Sequence, residues 1–413
     1  MREDTPEAVV SVGESVGSGF QKSAKYWSEW QDLNLRPPRP ERGALPDCAT
    51  LRRPGRSIYT WLARPFKHYP KLDYLHDMQH HSVHTATQVL QAGPDAVEAA
   101  ARVLAHGGLV AFPTETVYGL GADAGNGEAV ARLYEAKGRP SFNPLIAHVV
   151  GAATAHSLAR FDKAAERLAS AFWPGALTLV LPKRPDCAVA DLATAGLDTV
   201  AVRVPSHSVA RAILAAFGGA LVAPSANRSG HVSPTTAAHV LTDLSGRIDL
   251  IIDGGDAPMG LESTIVACLG EPILLRPGAL PRAAIERALA QGGAPFALRS
   301  AAAPERDDTA PAAPGQLPSH YAPRARLRLE AASVNPGEAL LAFGPQPITG
   351  AQAAVLALNL SPTGDLVEAA ARLFSHLRAL DASSATTIAV MPVPRAGLGE
   401  AINDRLARAA APR

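Results

Sequence analysis

An apolar run, Leu109 to Phe112, passes directly into Pro113-Thr-Glu-Thr-Val-Tyr-Gly-Leu-Gly121, and a helical stretch then delivers Lys137-Gly-Arg139-Pro140. No other feature narrows so sharply what the chain can build. The run reads as a buried strand that stops at a hydroxyl-rich turn. The two cations stand two positions apart at the carboxyl end of a helix of about ten residues. Phosphate oxygens call for dense N–H and O–H donors and compensating charge, so cations, hydroxyls and glycines together suit a polyphosphate. A Walker A signature is absent, since no lysine of the chain follows a glycine, and no Gly-x-Gly-x-x-Gly lies near. A nucleotide bound here is held by another device. Against this, threonines cap ordinary turns and cations are favoured at helix carboxyl ends. The second objection is weaker here, because beyond residue 84 lysine occurs only at 137, 163 and 183.

At 413 residues the chain has room for two domains, and a hydrophobic fraction of 47% supplies their cores. The net charge of +1 gives no whole-chain attraction to nucleic acid or membrane. Cys48, Cys187 and Cys268 are scattered, offering neither a metal chelate nor a disulfide framework, so they read as reduced thiols of a cytoplasmic protein. No apolar run reaches the length of a membrane span, and Met1-Arg-Glu-Asp4 opens no signal peptide. No membrane partner is expected.

Residues 1–84 differ from the rest: they hold Trp27, Trp30 and Trp61 and the Pro/Arg run Arg36 to Arg42, without periodicity, and read as a disordered or spurious extension. The stretch Leu35 to Leu45 resembles translation through a neighbouring transfer-RNA gene, with Met78 as an alternative start. The competing reading is a basic arm with weak affinity for RNA. Residues 88–292 alternate helical and strand patterns irregularly, which predicts an α/β domain with a mixed sheet. Residues 293–323, rich in Ala and Pro, read as a linker, in which His320 and Tyr321 are more than a spacer needs. Residues 324–413 read as a small α/β domain of its own.

Further polar groups stand at the ends of apolar runs. Ala223-Pro-Ser-Ala-Asn227 follows a strand with small residues, a hydroxyl and an amide. Thr199 and Arg203 share one face of the run Thr199-Val-Ala-Val-Arg203, where an arginine between valines needs an anion or carbonyl. Glu262-Ser-Thr264 and Leu275-Arg-Pro-Gly278 complete the set.

In this order, with Asn143-Pro-Leu-Ile146, His148, Trp173-Pro-Gly175, Ile252-Asp-Gly-Gly255 and His320-Tyr-Ala-Pro323, the motifs resemble those of the threonylcarbamoyl-AMP synthase family over about 92–411. The resemblance implies a YrdC-like mixed, twisted sheet around a large concave cavity, then a small Rossmann-like carboxyl-terminal domain. It implies a nucleotidyltransferase that makes threonylcarbamoyl-AMP and pyrophosphate from L-threonine, bicarbonate or CO2, and ATP, with Mg2+ brought by the ATP. It implies hand-over of the product to separate transfer-RNA threonylcarbamoyl-transfer proteins. Carried over residue by residue, Thr114, His148, Arg203, Ala223 and Ser263 stand on the L-threonine side. Lys137, Arg139, Thr199, Ser225, Asn227, Ser233, Arg276 and Tyr321 stand on the ATP side, with Lys137 and Arg139 as catalytic charges. No protein-held metal is implied. Gln316 departs from the linker pattern Pro-Gly-Met. Two other readings stay open: an RNA-binding or ribosome-assembly factor, and a carbamoyltransferase on the same fold, although the latter's paired cysteines are missing.

Overall fold

Strand after strand in the middle of this chain is buried on both faces, as a sheet layered between helices requires. The computed structural model describes residues 86–291, 296–301 and 320–412, all within the unit His80–Arg413. The readings of 1–84, Cys48 and Gln316 lie outside the described residues.

The first layer contains β1 (Gln88–Gln91), α1 (Pro94–Ala105), β2 (Val110–Phe112), β3 (Gly119–Asp123), α2 (Gly127–Lys137) and β4 (Ile146–His148). It continues through α3 (Ala152–Leu158), α4 (Lys163–Phe172), β5 (Leu177–Pro182), β6 (Thr199–Arg203), α5 (Ser208–Phe217) and β7 (Leu221–Val222). It closes with α6 (Ala237–Leu244), β8 (Leu250–Asp253), β9 (Thr264–Ala267), β10 (Ile273–Arg276), α7 (Arg282–Ala290) and β11 (Arg299–Ser300). The strands form one 11-stranded sheet in the order β1-β8-β2-β3-β7-β4-β6-β5-β9-β10-β11. Parallel pairs (β1–β8, β4–β6, β5–β9) and antiparallel ones (β2–β3, β5–β6, β9–β10) occur in the same sheet, so the mixed sheet expected from irregular alternation is present. Helices α1 and α5 pack over Val110, Phe112 and Leu250 in one apolar cluster. Helices α2, α4, α6 and α7 pack over Leu120, Leu179 and Val266 in another.

Two segments differ from the sequence reading. Gly119–Asp123 is not a turn but strand β3, antiparallel to β2. Gly121 fits there because an added Cβ would stand 2.7 Å from the Phe112 ring, so close packing, not turn chemistry, requires glycine. Part of the expected linker, 296–301, is likewise no spacer: Arg299 pairs with Ile273 as β11 on the open edge of β10. Phe296 and Leu298 pack against the main core, and the Arg167 guanidinium lies 5.1 Å from the Phe296 ring centre. Alanine and proline around them hid these two anchors.

The second layer comprises β12 (Arg326–Arg328), β13 (Ala339–Ala342), β14 (Ala357–Asn359), α8 (Leu366–Asp381), β15 (Thr387–Val390) and α9 (Gly399–Ala410). Its four strands, ordered β12-β15-β13-β14, are all parallel, which makes the small α/β layer expected for this end of the chain. Val117, Val232, Leu261 and Tyr321 join Leu373, Phe374 and Leu406 in its apolar core, so the two layers share a packed seam. Ion pairs cross the same seam: Arg378–Asp243 at 2.8 Å, Arg282–Glu400 at 2.8 Å and Arg405–Glu262 at 3.0 Å.

Candidate active site

The turn after β2 is built on Thr114, whose hydroxyl donates to the Val117 carbonyl at 2.6 Å and accepts from the amides of Thr116 and Val117 at 3.2 Å. This turn presents Glu115 and Thr116 to Arg203 at the end of β6. Arg203 Nη2 donates to Glu115 Oε1 at 2.6 Å and to Thr116 Oγ1 at 3.0 Å, and its Nε donates to the Gly175 carbonyl at 3.3 Å. Both partners of the ion pair are buried. Burial would raise the Glu115 pKa, but the charge and hydrogen bond of Arg203 outweigh it and hold the carboxyl below its usual range. Nε and Nη2 are engaged while Arg203 lines a cavity, so Nη1 is the atom left for a ligand.

That cavity is a narrow, partly open cleft with a volume of about 50 Å³, smaller than the large cavity the resemblance implies. Arg139, His148, Arg203, Ala223, Ser225, Ser263, Arg276 and Tyr321 all line it, so residues drawn from across the sequence converge. Thr116, Glu262 and His320 line it as well.

Helix α2 stops where it does because Gly138 takes a left-handed conformation, φ 59°, and this turns Arg139 away from the helix axis. Arg139 is held by the carbonyls of Asn143 at 3.2 Å and Pro144 at 3.0 Å, and burial pushes its pKa down to about 10. It remains a cation at neutral pH. Arg276, at the end of β10, donates to the Ser263 carbonyl at 2.9 Å, and Ser263 Oγ meets Thr178 Oγ1 at 2.8 Å. His148 Nδ1 lies 3.1 Å from the Ile146 carbonyl; a carbonyl only accepts, so Nδ1 carries the proton and Nε2 is an acceptor. Burial, then the charge of Arg203, pushes the His148 pKa down to about 3. His320, buried near three cations, is pushed down to about 3 for the same leading reason. Both imidazoles are therefore neutral.

The structure places the other expected residues beside the cavity rather than on it. Lys137 is buried behind the 223–227 loop, where its Nζ donates to the main-chain carbonyls of Ser225, at 2.6 Å, and Asn227. Desolvation, then the charge of Arg139, lowers its pKa well below the usual lysine value. Asn227 donates to the carbonyls of Arg228 and His231 at 2.9 and 2.8 Å, while its Oδ1 is buried without a partner. Ser233 donates to Glu262 Oε1 at 2.6 Å. Thr114 serves its own turn, and Thr199 stands at the far end of β6 from Arg203, opposite Pro182. Among the described residues no group of three or more His, Cys, Asp or Glu side chains could hold a metal, and no helix is long and apolar enough to cross a membrane.

Sequence reasoning passed over Glu115, whose position beside an obvious threonine pair was the available signal, and Arg405 of α9. Arg405 sits on the apolar stripe Ile402, Leu406 and Ala409, where a charged side chain is out of pattern.

Residues 102–278 match the family model described as "Telomere recombination", and residues 280–411 match "Threonylcarbamoyl-AMP synthase, C-terminal domain". The threonylcarbamoyl-AMP synthase of Bacillus subtilis (strain 168) is 39% identical over 337 residues, 78% of this chain and 95% of the relative. The threonylcarbamoyl-AMP synthase of Pyrococcus abyssi is 40% identical over 331 residues, 76% of this chain and 93% of the relative. The crystal structure of P. abyssi Sua5 complexed with L-threonine aligns with a TM-score of 0.69 at 38% identity, covering 79% of this chain and 98% of that one. Two family models and these relatives cover most of the chain, the fold agrees with the solved structure, and the chain belongs to the threonylcarbamoyl-AMP synthase family.

Proposed function

We propose that this chain joins L-threonine, bicarbonate (or CO2) and ATP into threonylcarbamoyl-AMP and pyrophosphate, the first step of N6-threonylcarbamoyladenosine formation on transfer RNA. One observation carries the reading: the guanidinium groups of Arg139, Arg203 and Arg276 face one cavity, whose lining carboxylate, Glu262, is already bonded to Arg405 and Ser233. Guanidinium groups gathered at one cavity offer N–H donors and positive potential to anionic ligands. An amino-acid carboxylate and a polyphosphate are two such ligands.

In this reading Nη1 of Arg203, steadied by Glu115, receives the threonine carboxylate. The Nε2 acceptor of His148 takes a hydrogen bond from the threonine ammonium or hydroxyl; with a pKa near 3 it is an orienting group and a poor base. The threonine ammonium first loses a proton to solvent, the free amine adds to CO2, a second proton leaves, and a carbamate forms, a step governed by positioning. A carbamate oxygen then attacks the α-phosphorus as the bond to pyrophosphate breaks. Arg139, Arg276 and the Ser225 hydroxyl stabilise charge on the phosphoryl oxygens. Lys137 acts by fixing the carbonyls, and so the loop, on which Ser225 rides. The lining is cationic and hydroxylic, which fits phosphate and not a metal, so Mg2+ comes and goes as part of the ATP substrate. Tyr321 and His320 cover the opening and keep water from a labile mixed anhydride. The enzyme works in the cytoplasm, and its product passes to separate threonylcarbamoyl-transfer proteins.

Pyrophosphate release from ATP, with threonine and bicarbonate each omitted in turn, tests this. Dependence on both is expected. Release that ignores either one overturns the assignment.

A further inference from the structure

We infer that Arg405, in helix α9 of the carboxyl-terminal layer, is a positioning residue for the reaction: it sets Glu262, through Glu262 the Ser233 hydroxyl, and braces Tyr321 over the cavity. Arg405 is wholly buried, and its Nε donates to Glu262 Oε2 at 3.0 Å. Its Nη1 donates to the Pro277 carbonyl and to Asp404 Oδ2, each at 2.7 Å. The other oxygen of Glu262 accepts from Ser233 at 2.6 Å. A three-member relay thus runs from the second domain through Glu262, which lines the cavity, to Ser233 beside it.

The same guanidinium lies 5.3 Å from the Tyr321 ring centre, and Phe374 of α8 stacks on that ring with centroids 5.6 Å apart. Tyr321 holds a left-handed backbone, φ 63°, which a non-glycine residue keeps only where its surroundings impose it. Arg378 of α8 grips the neighbouring main chain, donating to the Val232 carbonyl while paired with Asp243. The second layer therefore touches two residues that line the cavity, Glu262 and Tyr321, and the main chain next to Ser233.

Stability alone does not call for this arrangement. Arg405 Nη2 is buried with no hydrogen-bond partner, and an apolar residue on the stripe of Ile402 and Leu406 would avoid desolvating a charge. Buried pairs replaced by apolar residues of like volume are often neutral or more stable. What an arginine supplies that a leucine lacks is geometry: a rigid fork reaching Glu262 and Pro277 at once.

This inference rests on the ATP-side assignment proposed above. The test uses the full chain, thermal melting to confirm folding, and steady-state pyrophosphate release. Arg405→Lys, which keeps the charge and loses the fork, is expected to raise the KM for ATP about ten- to a hundredfold, the cost typical of losing an orienting partner, with a smaller change in kcat. Glu262→Gln is expected to do the same, and the double variant to be no worse than the more impaired single one. A folded Arg405→Lys with unaltered ATP KM, or additive losses in the double variant, overturns the relay. Should Arg405→Lys fail to fold, an unaltered ATP KM in Glu262→Gln overturns it equally. Arg203→Lys separates the two levels of failure. If it raises the threonine KM while Arg405→Lys leaves ATP KM unmoved, the relay alone falls; if neither KM moves, the site falls with it.

Discussion

Removing Glu115 isolates the electrostatic core of the site. Its carboxylate and the Arg203 guanidinium are 5–6% exposed at 2.6 Å, and Glu115 Oε2 also accepts from the Ser206 amide at 3.1 Å. Glu115→Ala leaves Arg203 buried without a counter-charge and the Ser206 amide without its acceptor. Breaking a buried pair from one side costs about 3–5 kcal/mol. At about 2–4 °C per kcal/mol for a domain of some 200 residues, a loss of ~4 kcal/mol lowers the melting temperature by about 8–16 °C. Glu115→Gln keeps the shape and an acceptor, and is expected to lose about half as much. The functional loss follows from orientation: Arg203 would swing from the Thr116 hydroxyl it now meets at 3.0 Å, and displacement of a positioning group by about 1 Å costs up to a hundredfold. Thermal melts followed by circular dichroism, with threonine-dependent pyrophosphate release on the same samples, read both effects. A Glu115→Ala protein melting within about 2 °C of the parent, with an unchanged threonine KM, would refute the reasoning.

Acid should weaken the fold in two windows with one sign. His148 and His320 are neutral when folded, with pKa values near 3 against an ordinary 6.5, so the unfolded chain binds more protons and stability falls as pH drops from 6.5 toward 3. Glu115, whose folded pKa is held below 4.5, adds stability that is complete above 4.5 and lost as pH falls through the folded value. Glu115→Gln should flatten the lower window and leave the upper one; urea midpoints against pH that keep the parent slope below 4.5 would contradict this. Lys137→Ala should lower turnover up to about a hundredfold, the cost of misplacing a positioning element by about 1 Å, because the Ser225 and Asn227 carbonyls lose the group that fixes them; near-normal pyrophosphate release would deny that role. Cys268 is buried and its thiol is pushed up to about 12 by desolvation, so iodoacetamide at pH 8 should spare it in the native protein and label it on unfolding, as read by peptide mapping; native labelling would count against that burial.

Elements with their own start and stop signals were legible from residues alone. Asp162 caps Lys163–Phe172 by accepting from the Ala165 amide, and the apolar run Leu250–Asp253 is bounded by turn residues, so local chemistry marks their ends. Strand β3 was not legible, because Gly-Leu-Gly-Ala-Asp has turn composition and becomes a strand only through β2 and β7 on either side. Edge strand β11 escaped for the same reason: Arg299-Ser300 has no pattern until β10 offers its open side.

The site divides along the same physical line. Arg139, Arg203, Ser263 and Arg276 stand at ends of helices or strands, where side chains leave the layer and meet in the cavity, and sequence position relative to an element end foretells that. Lys137 and Arg139 show the limit. They are two residues apart and alike in charge, yet one enters the cavity and the other turns to the carbonyls of Ser225 and Asn227, because Gly138 reverses the backbone between them. No one-dimensional pattern says which cation a left-handed residue sends inward. Arg405 shows the limit from the other side, since its charge is out of pattern on an apolar stripe but its partners, Glu262 and the Pro277 carbonyl, lie more than a hundred residues earlier. A break in local pattern tells that a residue answers to something beyond its own element; only the packed seam between the layers tells to what.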